Sequence, residues 1–139
     1  MAESQKVWSL MVDGASRGNP GAAGCGAVIL DENGAVVKKL SCYLDRSTNI
    51  AAEYEGLLMG LEALLQLGAE NCCKSDSQLL VRQLNGEYRV KDEKLKVLFE
   101  RAKSLLRRFK SYRIVHVRRE MNKLADRLAN RGIDDAAKQ

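Results

Sequence analysis

Four acidic side chains stand in sequence settings that favour a shared reactive centre. Asp13 follows the apolar run 7–12 and begins a glycine-rich segment, while Glu53, Asp76 and Asp126 lie far along the chain beside helix or strand patterns. Carboxylates gathered in one site repel one another unless cations neutralise them, and oxygen ligands without Cys or His favour Mg²⁺ or Mn²⁺. Two such ions about 3.5 to 4 Å apart activate a water and stabilise the leaving oxygen in phosphodiester hydrolysis.

Each acid also has an ordinary structural interpretation. Asp13 is a suitable turn residue, Asp76 a suitable helix cap and Asp126 a suitable surface charge. Glu53 is harder to assign to the surface, because it precedes Tyr54 near an apolar helix stripe. Residue types and spacing alone leave both interpretations open.

Length and composition predict one domain over residues 1–139, with frayed ends at 1–5 and 134–139. A chain of 139 residues buries a core without metal or disulfide staples. No apolar run approaches the roughly 18 to 20 residues that cross a bilayer, and residues 1–6 do not resemble a leader. We expect a cytoplasmic protein without a membrane partner.

The cysteines are Cys25, Cys42, Cys72 and Cys73, and they lack the spacing of a zinc site. Reduced thiols at core and strand positions are the expected role. Whether Cys72 or Cys73 pairs with Cys25 or Cys42 under oxidation depends on distances in the fold.

Charge is unevenly distributed along the chain. Residues 1–70 hold 5 Lys and Arg against 9 Asp and Glu, a net charge of −4, whereas residues 71–139 hold 18 against 9, a net charge of +9. A basic half fits a polyanionic partner bound through salt-sensitive phosphate contacts, although many basic faces are only solvated.

Hydrophobic patterns predict strands over 7–12, 25–30 and 35–43 in the first third. Asn33 and Gly34 lie between the second and third strands, and this dipeptide is a strong hairpin signal. The first third is therefore predicted to be an antiparallel meander, with Asp13 at the end of its first strand.

A helix is predicted from Asn49, which would cap it, to Gly68, which would end it. Gly56 and Gly60 are one turn apart and predict close packing against a neighbouring element.

The second half alternates strands and helices. Strands are predicted over 69–75 and 113–117, with helices over 76–84, 95–109 and 121–129. The order predicts an α/β fold with a mixed sheet of about five strands and helices on its faces. Parallel first and fourth strands would place Asp13 and Asp76 at neighbouring strand ends, where α/β sheets bind ligands.

Four segments resemble the type 1 ribonuclease H family. Residues 13–21 match D-G-[SA]-x-x-G-N-P-G, residues 48–53 match T-N-x-x-x-E, residues 76–78 are D-S-Q, and residues 122–126 match N-x-x-[AC]-D. The resemblance covers roughly residues 6–132. It implies the ribonuclease H-like fold, in which a five-stranded mixed sheet of three antiparallel and then two parallel strands is flanked by helices.

The resemblance also implies a function. The chain would be an endoribonuclease that hydrolyses the RNA strand of RNA/DNA hybrids as a monomer, leaving 5′-phosphate and 3′-hydroxyl ends. Its catalytic residues would hold two Mg²⁺ ions, with Mn²⁺ as an alternative, and they would be Asp13, Glu53, Asp76 and Asp126.

Family members imply the substrate contacts as well. Asn19, Thr48 and Asn49 would contact the DNA-strand phosphate or the minor groove, and Gly14 and Gln78 would contact the RNA. A 2′-hydroxyl in a wide, shallow minor groove distinguishes an RNA strand from DNA.

Two features depart from many family members. A basic helix and loop that relatives insert before the long helix is reduced to residues 85–92, so hybrid binding is assigned to the basic face of that helix, including Lys94 and Arg101. Simple solvation is the alternative role of this face. The compact form resembles archaeal and some bacterial relatives.

The second departure concerns a loop histidine of many relatives. The one histidine here, His116, falls in the predicted last strand, where a structural role is expected. Arg118 or Arg119 is proposed to reach the scissile phosphate or the departing product instead. The competing interpretations are a non-catalytic hybrid-binding module and a nuclease acting on DNA.

Overall fold

The computed structural model describes residues 7–18, 21–69, 71–76, 93–116 and 123–137. Within 71–76 and 113–116, and at Ala137, it describes the backbone only.

A five-stranded sheet forms the centre of the described fold. Its strands are β1 (Trp8–Arg17), β2 (Gly21–Leu30), β3 (Val36–Ser47), β4 (Asn71–Asp76) and β5 (Ser111–His116), in the spatial order β3-β2-β1-β4-β5. β1 pairs antiparallel with β2, as does β2 with β3, whereas β4 runs parallel to both β1 and β5. The predicted mixed sheet, with three antiparallel and then two parallel strands, is confirmed.

β1 extends beyond its predicted end. Asp13 was predicted to end the strand, and this was wrong, because the ladder with β2 continues from Asp13 opposite Gly26 to Arg17 opposite Ala22. The glycine-rich segment is therefore largely strand, since β2 begins as early as Gly21 and provides partners for it.

The β2–β3 connection is the predicted hairpin turn. Gly34 has a positive φ of 84°, which favours glycine. The Asp31 carboxylate accepts hydrogen bonds from the backbone N–H groups of Asn33 and Ala35 at 2.9 and 3.0 Å. β3 then continues to Ser47, four residues beyond its predicted end, because β2 pairs with it over this length.

Helix α1 (Asn49–Gln66) follows β3 after one residue. Its N-cap is Thr48 rather than the predicted Asn49, since the Thr48 hydroxyl accepts a hydrogen bond from the Ala51 N–H at 3.2 Å. Gly68 follows the helix with φ of 83°, so the predicted C-terminal signal is confirmed. The predicted close packing occurs at Gly60, where an added Cβ would lie 2.5 Å from the Leu10 side chain.

Two further helices are described, α2 (Glu93–Leu106) and α3 (Lys123–Ala137). Asp76 is the last residue of β4 rather than the residue after it, and the helix predicted beyond it lies outside the described residues. The prediction that the chain frays from Asp134 was wrong, because α3 continues through Ala137. An ion pair of 2.6 Å between Arg17 and Asp134 joins this part of α3 to the end of β1.

The helices cover both faces of the sheet. α1 and α2 lie on one face, where Leu10, Val12 and Ile29 are fully buried in the larger core cluster. α3 covers the other face, where Val28 packs with Ala125 and Leu128. Among the helices of the described segments, none is long and apolar enough to cross a membrane.

Candidate active site

Glu53 is placed beside Asp13 by a direct backbone contact between α1 and β1. A Cβ added to Gly14 would lie 2.4 Å from the backbone nitrogen of Glu53 and 2.5 Å from the backbone carbon of Ala52. No side chain fits between these two backbones. Because Gly14 follows Asp13, the missing Cβ fixes the start of α1, and Glu53 with it, next to Asp13.

Asp126 is placed by a second contact of the same kind on the opposite face of the sheet. Gly26 is the cross-strand partner of Asp13, and a Cβ added to it would lie 2.4 Å from the carbonyl oxygen of Ala125. Directly paired residues of an antiparallel ladder share one face of the sheet. α3 therefore crosses the sheet where Asp13 projects, and Asp126 follows the contact residue.

Asp76 reaches the same region through the parallel pairing of β4 with β1. The last pair of this ladder is Met11 with Ser75, so the backbone of Asp76 lies next to Val12, one residue before Asp13. In the β4–β5 ladder Asp76 pairs with His116, which lies in the last strand as predicted. The backbone positions of all four predicted acids thus converge at one end of the sheet.

The three described carboxylates are all half-buried, so they remain accessible to ions and substrate. Asp13 also accepts a hydrogen bond from the Gly14 N–H at 3.0 Å. Among the side chains that the structure describes, no three Asp, Glu, His or Cys residues form a group that could hold a metal ion. That set does not include Asp76, whose side chain is not described. The donors of the predicted site are all carboxylate oxygens, which fit a hard divalent cation.

Two of the predicted nucleic-acid contacts lie at the N-terminus of α1, about one turn before Glu53. Thr48 uses its hydroxyl to cap the helix, and Asn49 is exposed in the first turn. Gly14, the predicted RNA contact, has a structural reason to be glycine in its packing against α1. Asn19, Gln78 and Arg118 lie outside the described residues.

One predicted phosphate contact on α2, Arg101, lies away from this region. Lys94 and Arg101 are exposed, and an Arg101 guanidinium nitrogen lies 4.0 Å from the Glu62 carboxylate on α1. At about 1.5 Å of rise per residue, Glu62 lies roughly 13 Å along α1 from Glu53. The predicted contact of Lys94 and Arg101 with nucleic acid stays a prediction.

Sequence reasoning missed the residues that bring the acids together. Gly26 was assigned only to a strand, although Gly24 and Gly26 alternate in a way typical of a strand face that another backbone approaches. Also missed was Ser16, whose hydroxyl lies 2.7 Å from the Ser47 carbonyl and so joins β1 to the residue before the α1 cap.

The fold and the site together define an α/β protein with an acidic centre at one end of a mixed sheet. The sequence model of the reverse transcriptase-like family matches residues 11–132, nearly the whole described fold. Ribonuclease H of Pseudomonas fluorescens is 33% identical over 150 aligned positions that cover 97% of this chain and 95% of the relative. The chain therefore belongs to the ribonuclease H family.

Other relatives agree with this assignment. Ribonuclease HI of the archaeon Halobacterium salinarum is 42% identical over 125 residues, or 89% of this chain and 63% of the relative. The crystal structure of RNase H1 from that organism has a TM-score of 0.90, with 38% identity over 93% of this chain and 98% of the solved one.

A third relative was solved in complex with a nucleic acid. LC11-RNase H1, isolated from compost, is described in complex with an RNA/DNA hybrid, with a TM-score of 0.89 and 39% identity over 94% of this chain and 99% of the solved chain. Some relatives are longer than this chain. It spans 63% of the Halobacterium protein and 35% of three Mycobacterium proteins that are each 42% identical to it.

The contact at Gly14 predicts a sharp difference between two glycine substitutions. We expect Gly14→Ala to lower the free energy of unfolding by at least about 2 kcal/mol, because its methyl group would meet backbone atoms that cannot yield without moving α1. Gly56→Ala is the matched control, since its nearest neighbours lie at 3.3 to 3.5 Å. The gain in helix propensity there offsets a small steric cost, so stability should change by less than about 1 kcal/mol. Urea unfolding measures both, and equal effects would contradict the proposed contact.

Proposed function

We propose that this chain is an endoribonuclease that hydrolyses the RNA strand of RNA/DNA hybrids. The observation that supports the proposal is the backbone placement of Asp13, Glu53, Asp76 and Asp126 near one end of the sheet. Two glycines without room for a side chain fix the first two of these acids and Asp126 relative to one another. The hybrid complex of LC11-RNase H1, at 39% identity, supports the choice of substrate.

The four carboxylates would hold two divalent cations, Mg²⁺ or Mn²⁺. When bound, such ions activate water and stabilise charge on the phosphate, and the products would carry 5′-phosphate and 3′-hydroxyl ends. The protein's own contribution is rigid placement. Asp13 and Asp76 come from neighbouring strands, whereas Glu53 and Asp126 come from helices on opposite faces, so the site depends on the packing of three layers.

Substrate selection would begin at the N-terminus of α1. Thr48 and Asn49 lie about one turn before Glu53, close enough for a duplex in the site to contact both. Asn19 and Gln78 would add contacts to the two strands, and Arg118 would reach the scissile phosphate or the product. We further propose that the chain acts as a monomer in the cytoplasm.

The test compares cleavage of a labelled RNA/DNA hybrid with RNA/RNA and DNA/DNA duplexes of the same sequence, in Mg²⁺ or in EDTA. We expect cutting of the hybrid RNA alone, in Mg²⁺ alone. Asp76→Asn and Glu53→Gln should each reduce the rate on the order of 10²- to 10³-fold, because each removes a charge at the reacting centre.

Glu62→Gln is the matched control on the same helix. Glu62 is exposed and pairs with Arg101 at the far end of α1, so its rate should stay within about twofold of the parent chain. Binding of the hybrid without cutting would favour a non-catalytic binding module. Cutting of DNA/DNA would mean that the proposed substrate is wrong, and equal losses in both glutamine variants would contradict the assigned site.

The exposed basic face of α2 generates a separate prediction. If Lys94 and Arg101 contact phosphates, the double substitution Lys94→Ala/Arg101→Ala should weaken hybrid binding and reduce the slope of log Kd against log salt by about one to two. Lys38→Ala/Lys39→Ala removes two exposed charges from β3 and serves as the control. Titrations at several salt concentrations measure the slopes. Identical slopes for all three proteins would mean that the basic face of α2 is only solvated and does not contact phosphates.

A further inference from the structure

Two cysteines face each other across neighbouring strands. Cys25 of β2 and Cys42 of β3 are direct partners in the antiparallel ladder, and both are free thiols. Directly opposed residues of such a ladder have Cβ atoms about 4.5 to 5.5 Å apart, close to the 3.5 to 4.5 Å that a disulfide needs. A small adjustment of the two strands is therefore enough to join them.

Their surroundings leave room for that adjustment and for a reagent. A cavity of about 370 Å³ lies beside the pair, between β3, α1 and α2. Both thiols line it, together with Lys38, Glu55 and Arg101. Cys42 is half-buried, whereas Cys25 is only 1% exposed. An oxidant can thus approach Cys42 first.

The two remaining cysteines are too distant to compete for this pairing. Cys72 and Cys73 lie on β4, which is separated from β2 by β1. At about 4.8 Å between adjacent strands, β4 lies roughly 9.6 Å from β2, beyond the 7 Å or so that a disulfide spans between Cα atoms. The pairing of Cys72 or Cys73 with Cys25 or Cys42, left open by the sequence, is excluded by this topology.

We propose that Cys25 and Cys42 form an oxidation site, an adjacent dithiol that closes to a disulfide between β2 and the edge strand β3. The co-reactant is a small disulfide such as oxidised glutathione. The Cys42 thiolate attacks one sulfur of the reagent, which releases one small thiol and leaves a mixed disulfide on Cys42. The Cys25 thiolate then attacks the Cys42 sulfur and displaces the second small thiol, so two protein thiols are oxidised and one reagent disulfide is reduced.

The second step is the slow one. Burial, with the neighbouring Cys42 and Glu55 as smaller causes, raises the pKa of Cys25 to about 12. Lys38, Glu62 and Arg101 also line the cavity. At pH values well below 12 the Cys25 thiolate is scarce, so the closing rate should rise about tenfold for each pH unit. The mixed disulfide on Cys42 should accumulate at neutral pH and close faster as the pH rises.

The expected consequence of closure is a more stable sheet edge. The bond closes the chain from Cys25 to Cys42, which includes the β2–β3 turn, and so restricts the unfolded chain. A crosslink over a loop of this length should raise the Tm by roughly 5 to 10 °C. This site is independent of the proposed nuclease activity, since neither cysteine belongs to the carboxylate centre.

To test the proposal, the full chain is incubated with oxidised glutathione, its remaining thiols are blocked, and the protein is digested with trypsin in the absence of reductant. Trypsin separates the two cysteines into peptides 18–38 and 40–46, so the disulfide joins two fragments that otherwise run apart in mass spectrometry. We expect this linked pair, a gain in Tm that dithiothreitol reverses, and neither result in Cys42→Ser. Cys72→Ser/Cys73→Ser is the matched control, which should form the link as the parent chain does.

Three outcomes would overturn the proposal. They are a crosslink that involves Cys72 or Cys73, full retention of both thiols as the glutathione ratio increases, and a linked protein whose Tm does not rise. Cys25→Ala provides a second variant at the buried position. Its mixed disulfide should remain on Cys42 indefinitely, and loss of that adduct without Cys25 would also contradict the sequence of steps.

Discussion

The site depends on two places where a helix backbone touches a strand backbone directly. Gly14 lets α1 approach β1 from one face of the sheet, and Gly26 lets α3 approach β2 from the other. Because Gly26 pairs with Asp13, both contacts meet at the same point of the ladder. A methyl group at either glycine would separate the layers, so the spacing between the elements that carry the acids depends on the absence of side chains at these two positions.

This arrangement explains why the glycine-rich segment after Asp13 is strand rather than turn. Small residues in β1 and β2 keep the sheet thin where the helices cross it. The ladder between the two strands continues from Asp13 to Arg17, so Asp13 lies inside the strand and is held on both sides. At the far end of that ladder, the Arg17–Asp134 ion pair joins β1 to α3. Both side chains are about half exposed, so the pair contributes at most about 1 kcal/mol, and packing does most of the positioning.

Much of the fold could be predicted from the sequence, because its signals are local. Asn33 and Gly34 predicted the hairpin, and Gly68 predicted the end of α1, since each needs only a few neighbouring residues. The end of β1 and the extent of α3 could not be predicted in this way. They depend on partners far along the chain, namely the β2 residues opposite 13–17 and the Arg17 side chain opposite Asp134.

In the candidate site, too, local motifs could be predicted and contacts between distant segments could not. The motifs around Asp13, Glu53, Asp76 and Asp126 could be recognised from the sequence, whereas Gly26 gained its meaning only from the register that places it opposite Asp13. The pairing of Cys25 with Cys42 likewise depends on strand register, which no spacing between cysteines discloses. Pairwise contacts between distant segments are what the sequence alone leaves undetermined.

The proposed function requires that the four acids form one cation site at this end of the sheet. Crystals grown with Mn²⁺ and measured at the manganese absorption edge would test it most directly. We expect two anomalous peaks about 3.5 to 4 Å apart, in contact with the carboxylates of Asp13, Glu53, Asp76 and Asp126. Peaks bound elsewhere, or none at a saturating Mn²⁺ concentration, would contradict it.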